Sequence, residues 1–193
     1  MFQRIITALI GIPIILTAIN WGGPWLLALL ALITLVASGE LNTLWRKAGY
    51  EPLAEVVLLG GLILLLGSYI GWGQHVIILL TLYTLTRETF RGSSLKNGPP
   101  AIFSVLYTGG CLGYIAALRG EMGAGAVFLL LITIWCTDTT AYFYGTYRGK
   151  RPLCPQISPK KTWEGAGAAT LVAAGLASLS GPVLVGIGPG QAL

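Results

Sequence analysis

Charged residues cut this chain into apolar runs of about 20 residues, and that spacing limits the fold more than any other feature. About 20 apolar residues wound as a helix cross the hydrocarbon core of a bilayer, which is roughly 30 Å thick. Inside lipid every backbone polar group must be paired within the protein, so only helices and closed barrels can span it. The runs are uniformly apolar, without the alternation of a barrel strand. Only 10% of the 193 residues are charged and the mean hydropathy is +0.76, whereas a soluble domain carries about 25% charged residues. The expected fold is therefore all-α, a polytopic transmembrane helical bundle forming one integral membrane domain over residues 1–193. About seven spans are expected, near 4–20, 24–45, 54–71, 74–90, 101–118, 124–144 and 165–187. The fourth has only a short apolar centre, HVIILLTLYTL. The last is rich in small residues, which suits close helix packing.

The opening MFQRIITALIGIPIILTAIN has one Arg and a long apolar run. No small-residue cleavage site follows and more spans do, so it reads as a first helix that is retained. With the N-terminus on side one, that side holds 11 of the 12 Lys and Arg residues, and side two holds only Arg119. Such a bias makes side one cytoplasmic, so the protein is expected in the cell membrane, multi-pass, with a cytoplasmic N-terminus. The 145–164 loop, with five cations, then faces the cytoplasm. The formal net charge of +5 suits lipid headgroups or phosphates, and in a membrane protein it also follows from topology alone. Cys111, Cys136 and Cys154 are scattered and read as buried structural thiols.

Three places break the apolar pattern. Asp138, in LLLITIWCTDTTAYFYG, is a carboxylate in or near a span, which is costly and marks a functional site by default. Its bland alternative is an interface residue or a partner for a basic side chain. Thr137, Thr139 and Thr140 surround it, and Tyr142, Phe143 and Tyr144 suit the interface level. The second place is the stretch YRGKRPLCPQISPKKTWEG. Ser158 is a good N-cap and Pro159 suits the first helical position. A helix starting there puts Lys160 and Lys161 in the first turn, the wrong end for cations unless an anion sits on it. The expected arrangement is a phosphate cradle, with the lysines and free backbone N–H groups converging on one anion. Glu164 would pair with a lysine or help to hold a metal, and Ser158 would cap the helix or touch phosphate. The third place is Glu40, near the end of span two, where an interface residue close to Arg46 and Lys47 is an equal reading. His75 reads as an interface residue on the far side.

The block DTTAYFYGTYRGKRPL followed by SPKKTWEG resembles the phosphatidate cytidylyltransferases, also called CDP-diglyceride synthases. The matching positions are Asp138, Ala141, Tyr142, Gly145, Gly149, Lys150 and Ser158 through Gly165. Glu40 and QRIITALIGIPIIL also resemble that family's N-terminal region. The resemblance implies the reaction of CTP with phosphatidate to give CDP-diacylglycerol and pyrophosphate, aided by Mg²⁺. It implies a catalytic role for Asp138 and Lys161, and substrate binding by Ser158, Lys160, Lys161, Thr162 and Glu164, with Asp138 coordinating a metal or orienting a substrate. Membrane lipids are expected partners, nucleic acid is not, and a homodimer or a complementing C-terminal chain is allowed. Family members continue to a C-terminal signature containing Pro-Gly-His-Gly-Gly and Asp-Arg, whose acidic residues hold the metals. Nothing like it occurs here, so the chain resembles the N-terminal two-thirds of such an enzyme and is not expected to turn over CTP alone. Two other classes are carried: a transporter using Asp138 and the lysine pair as ion sites, and a lipid or polyprenol kinase.

Overall fold

A computed structural model describes residues 2–92 and 95–186, with side chains from residue 9 onward. The helices are α1 (Phe2–Trp21), α2 (Gly23–Lys47), α3 (Gly61–Tyr69), α4 (Gly73–Phe90), α5 (Gly98–Val105), α6 (Cys111–Arg148) and α7 (Trp163–Leu184). Single π-helical turns, Val56–Gly60 and Leu106–Gly110, lead into α3 and α6. The only sheet among the described residues is a two-stranded antiparallel ribbon, β1 (Pro152–Cys154) with β2 (Ser158–Thr162). The all-helical expectation thus holds, and a helix lies over each predicted segment; Ile187, the end of the seventh, lies outside the described residues.

Among the described residues three helical stretches are long and apolar enough to cross a membrane: Gly23–Lys47, Leu95–Arg148 and Trp163–Leu184. Leu9–Trp21 and Val56–Tyr69 are shorter apolar helices. The 54-residue middle stretch would be about 80 Å long if straight. It is broken at Gly123, whose φ of 84° and ψ of −177° suit glycine almost alone.

The chain forms two compact units, Met1–Glu121 and Met122–Leu193. In the first, Leu53, Val56, Val57, Leu64, Ala101 and Val105 form a buried core against which Val76, Ile77 and Leu80 pack. Beside this apolar core runs a buried polar seam. The Ser38 and Thr108 hydroxyls are 2.8 Å apart, and Thr34, Thr84, Glu88 and Ser104 are fully buried. The hydroxyls of Thr34, Thr84, Ser104 and Thr108 also bond carbonyls one turn back, which satisfies them in an apolar setting. Gly109 lies directly on the backbone of Gly61, an approach that any side chain would block.

Arg119, the lone cation of the predicted far side, has a structural task. Its guanidinium donates to the carbonyls of Ile19 at 2.7 Å and Asn20 at 3.0 Å. These are end groups of α1, where a cation meets the negative end of the helix dipole. Cys111 is exposed rather than buried, Cys136 and Cys154 are partly covered, and all three are free.

Candidate functional site

Every residue of the predicted site lies in the second unit. Its frame is the last part of α6 packed against the start of α7. Gly165 sits against the carbonyl of Ala141 and the Cα of Gly145. Thr162 lies over Gly145 and Gly149, where its methyl and hydroxyl fill the space that a Cβ would need. Asp138, Ala141 and Gly145 share a face of α6 by their spacing of three and seven residues. Asp138 therefore lies on the face that meets α7, about 10 Å along the axis from Gly145.

The helix does not begin at Ser158. Ser158 to Thr162 form strand β2, and Thr162 is the N-cap of α7, its hydroxyl accepting from the Gly165 N–H at 3.2 Å. The ribbon overrides the local Ser-Pro signal: Pro152 pairs with Thr162, Cys154 with Ser158, and the Trp163 N–H donates to the Arg151 carbonyl at 3.0 Å. The register leaves Pro159, Lys160 and Lys161 opposite Leu153 alone, so the lysine pair rides on a bulge. Both lysines are exposed and make no hydrogen bond or ion pair among the described residues.

The expected cradle of free N–H groups is also corrected. Trp163 N–H is taken by the Arg151 carbonyl and Gly165 N–H by the Thr162 hydroxyl, and the Glu164 carboxyl is held below the usual carboxylate range by backbone N–H groups, its own foremost. Glu164 does not pair with a lysine side chain. Its carboxylate accepts from the backbone N–H groups of Lys150 at 3.1 Å and Arg151 at 3.2 Å. The protein thus supplies its own anion at the positive end of α7, and that anion ties down the turn after α6. The lysines stand just before this end, and their ammonium groups have no partner among the described residues. Sequence reading missed this role because backbone donors leave no mark in a sequence.

Asp138 is exposed, with no partner among the described residues, and Glu40 is exposed on α2 without an ion pair to Arg46 or Lys47. Two cavities among the described residues are lined by residues between Pro13 and Arg91, and neither reaches Asp138 or the lysine pair. No three His, Cys, Asp or Glu side chains cluster among the described residues. Mg²⁺ needs no such cage, since it is commonly held by one or two carboxylates together with substrate phosphates and water. The open carboxylate of Asp138 fits that looser mode.

The pattern of the cytidylyltransferase family matches residues 2–192. The phosphatidate cytidylyltransferase of Bacillus subtilis is 35% identical over 106 residues, covering 54% of this chain and 38% of that protein. The enzyme of the same name from Mycobacterium bovis is 30% identical over 175 residues, covering 81% and 57%. That of Staphylococcus haemolyticus is 31% identical over 177 residues, covering 84% and 65%. The chain thus spans 38% to 65% of the length of these relatives. No solved structure matches it. A match that runs through α1 to α7 and includes the Asp138 helix and the lysine ribbon places the chain in the cytidylyltransferase family.

Proposed function

We propose that the chain takes part in phosphatidate cytidylyltransfer, joining CTP to phosphatidate to give CDP-diacylglycerol and pyrophosphate. The observation that carries this reading is the bulged ribbon. It presents two uncommitted lysines beside a helix end already neutralised from within, and it is locked by Thr162 and Gly165 against the helix that bears Asp138. The names of the relatives support the same substrates.

In this reaction a phosphate oxygen of phosphatidate attacks the α-phosphorus of CTP, and the bond to pyrophosphate breaks. The nucleophile is already ionised, so no strong general base is required. The work is to bring two anions together and align them. Lys160 and Lys161 neutralise phosphate oxygens, and Thr162 with Glu164 fixes the backbone from which they reach. Ser158, partly covered at the other end of β2, borders the same ribbon. Mg²⁺, with Asp138 as its protein ligand, would supply further charge neutralisation on the polyphosphate. Seven crossings with the ribbon in the cytoplasm suit a soluble nucleotide and a lipid substrate. The Lys and Arg distribution supports that topology, as does the break at Gly123 between two predicted spans.

The test uses the chain in lipid nanodiscs containing phosphatidate. Radiolabelled CTP should be retained, less so at high salt, and lost in a Lys160→Ala, Lys161→Ala double variant. CDP-diacylglycerol is measured in the same samples, with and without the C-terminal part of the Bacillus subtilis relative. Product in either arm that disappears with Lys161→Ala supports the reading. No CTP retention and no product in both arms overturns it.

A further inference from the structure

The first unit holds a cavity of about 580 Å³. Its walls come from the last turn of α2, the connection that follows, and the end of α4. Three arginines, Arg46, Arg87 and Arg91, line it together with Tyr50, Glu51 and Glu55. None of these residues belongs to the lysine ribbon.

The wall is built rather than loose. Leu53, which also lines it, is buried. The Glu51 N–H is held by the Asn97 side chain at 2.9 Å. Tyr50 packs edge-on against Trp45, whose indole N–H bonds Ser104 at 3.0 Å. Two acids steady two of the arginines: Glu55 lies 3.5 Å from Arg87, and the fully buried Glu88 lies 3.7 Å from Arg91. Both separations exceed the roughly 2.7–2.9 Å of a tight charge-assisted bond, so guanidinium donors are left over. Arg46 makes no ion pair among the described residues and also faces the cavity.

Three planar donor forks around one space suit an anion with three terminal oxygens. A phosphomonoester has three and carries up to two charges; a phosphodiester offers only two. The volume accommodates such a group with its first attached carbons. The aromatic pair Trp45 and Tyr50 beside the cavity suits headgroup depth in a membrane.

We propose that this cavity is a phosphomonoester site in which Arg46, Arg87 and Arg91 grip the terminal phosphate oxygens. The proposal stands on the first unit alone and does not depend on the reaction above.

The whole chain is tested in phosphatidylcholine nanodiscs, in a Lys160→Ala, Lys161→Ala background that removes the ribbon's lysines. Dioleoyl phosphatidate or dioleoyl phosphatidylglycerol is titrated into the discs, and bound lipid is counted by native mass spectrometry. Glycerol 3-phosphate is titrated in solution by calorimetry. Losing one charged, forked contact should weaken phosphatidate binding about 10- to 100-fold in Arg46→Gln. Arg46→Lys should fall between, and Lys47→Gln, one residue away but outside the cavity, should change nothing. Arg46 has no ion pair to break, so its variants should melt as the parent does; they carry the test even if Arg91→Gln unfolds around Glu88. Glycerol 3-phosphate binding with the same Arg46 dependence shows that the site takes soluble phosphomonoesters, and binding of phosphatidate alone shows that it needs the lipid; both support the proposal. Equal binding by parent and Arg46→Gln overturns it, as does phosphatidylglycerol bound as tightly as phosphatidate.

Discussion

Two glycines in α7 separate the helix–helix seam from its surroundings. Gly165 and Gly167 stand two residues apart in the first turns of the same helix. Replacing either by Ala removes backbone freedom from the unfolded chain and favours the helix by up to about 1 kcal/mol. The packing cost differs. A Cβ on Gly165 would lie 2.8 Å from the Ala141 carbonyl oxygen and 3.1 Å from both the Gly145 Cα and the Thr162 hydroxyl. Two of those three are backbone atoms of α6, which cannot rotate away, so the helices must part by a few tenths of an ångström. Overpacking of that kind costs about 1–3 kcal/mol, which outweighs the helical gain. A Cβ on Gly167 meets nothing within 4 Å. Gly165→Ala is therefore expected to destabilise by up to about 2 kcal/mol, and Gly167→Ala to stabilise by up to about 1 kcal/mol. Thermal unfolding in detergent, followed by circular dichroism, should order the melting points as Gly167→Ala, then parent, then Gly165→Ala. Gly165→Ala melting at or above Gly167→Ala would refute the close seam and, with it, the placement of the ribbon against α6.

Thr162→Val keeps the shape but removes the N-cap, and should cost about 1 kcal/mol, read as a lower melting point with α7 exchanging amide hydrogens faster. Arg119→Met strips two carbonyls of α1 of their donor and should lower stability by about 1–2 kcal/mol; an unchanged melting point would mean that water serves those carbonyls equally well. Glu164→Gln removes the charge that faces the Lys150 and Arg151 N–H groups. It should speed proteolysis in the 148–158 turn while leaving the helical content of the chain unchanged, and unchanged cleavage there would count against the tether.

The helices were legible because the physics that sets them is local: runs free of charge must be helical in lipid, and their limits fall at charged residues such as Lys47 and Arg148 or beside left-handed glycines such as Gly22 and Gly71. The start of α7 was not. Two N-cap signals overlap, Ser158 with Pro159 and Thr162 with Gly165 three residues on, and local rules favour the first. What selects the second is distant in sequence, namely the Pro152–Thr162 pairing and the two glycines, Gly145 in α6 and Gly149 just beyond it, that admit Thr162. The lysine pair stood out in the sequence as cations at an unsuitable helix end, but the role of Glu164 did not, because it takes up N–H groups 13 and 14 residues away. Arg87 and Arg91 entered the sequence reading only as topology charges, and Arg46 only as one of these and as a neighbour of Glu40; their place around one cavity depends on how α2 and α4 end.

The π-helical turns at Val56–Gly60 and Leu106–Gly110 carry a consequence for insertions and deletions. Each turn accommodates one residue more than an α-helix would over the same rise. Excising a residue from the middle of an ordinary helix rotates everything beyond it by about 100°, which would swing Gly109 off Gly61 and turn the seam hydroxyls toward lipid. Excising one from a π-turn only relaxes it to α, and the helical phase beyond is kept. Single-residue gaps should therefore be tolerated at these two turns and rejected a few positions to either side. A deletion scan read by surface expression would show two narrow windows of tolerance in otherwise intolerant helices.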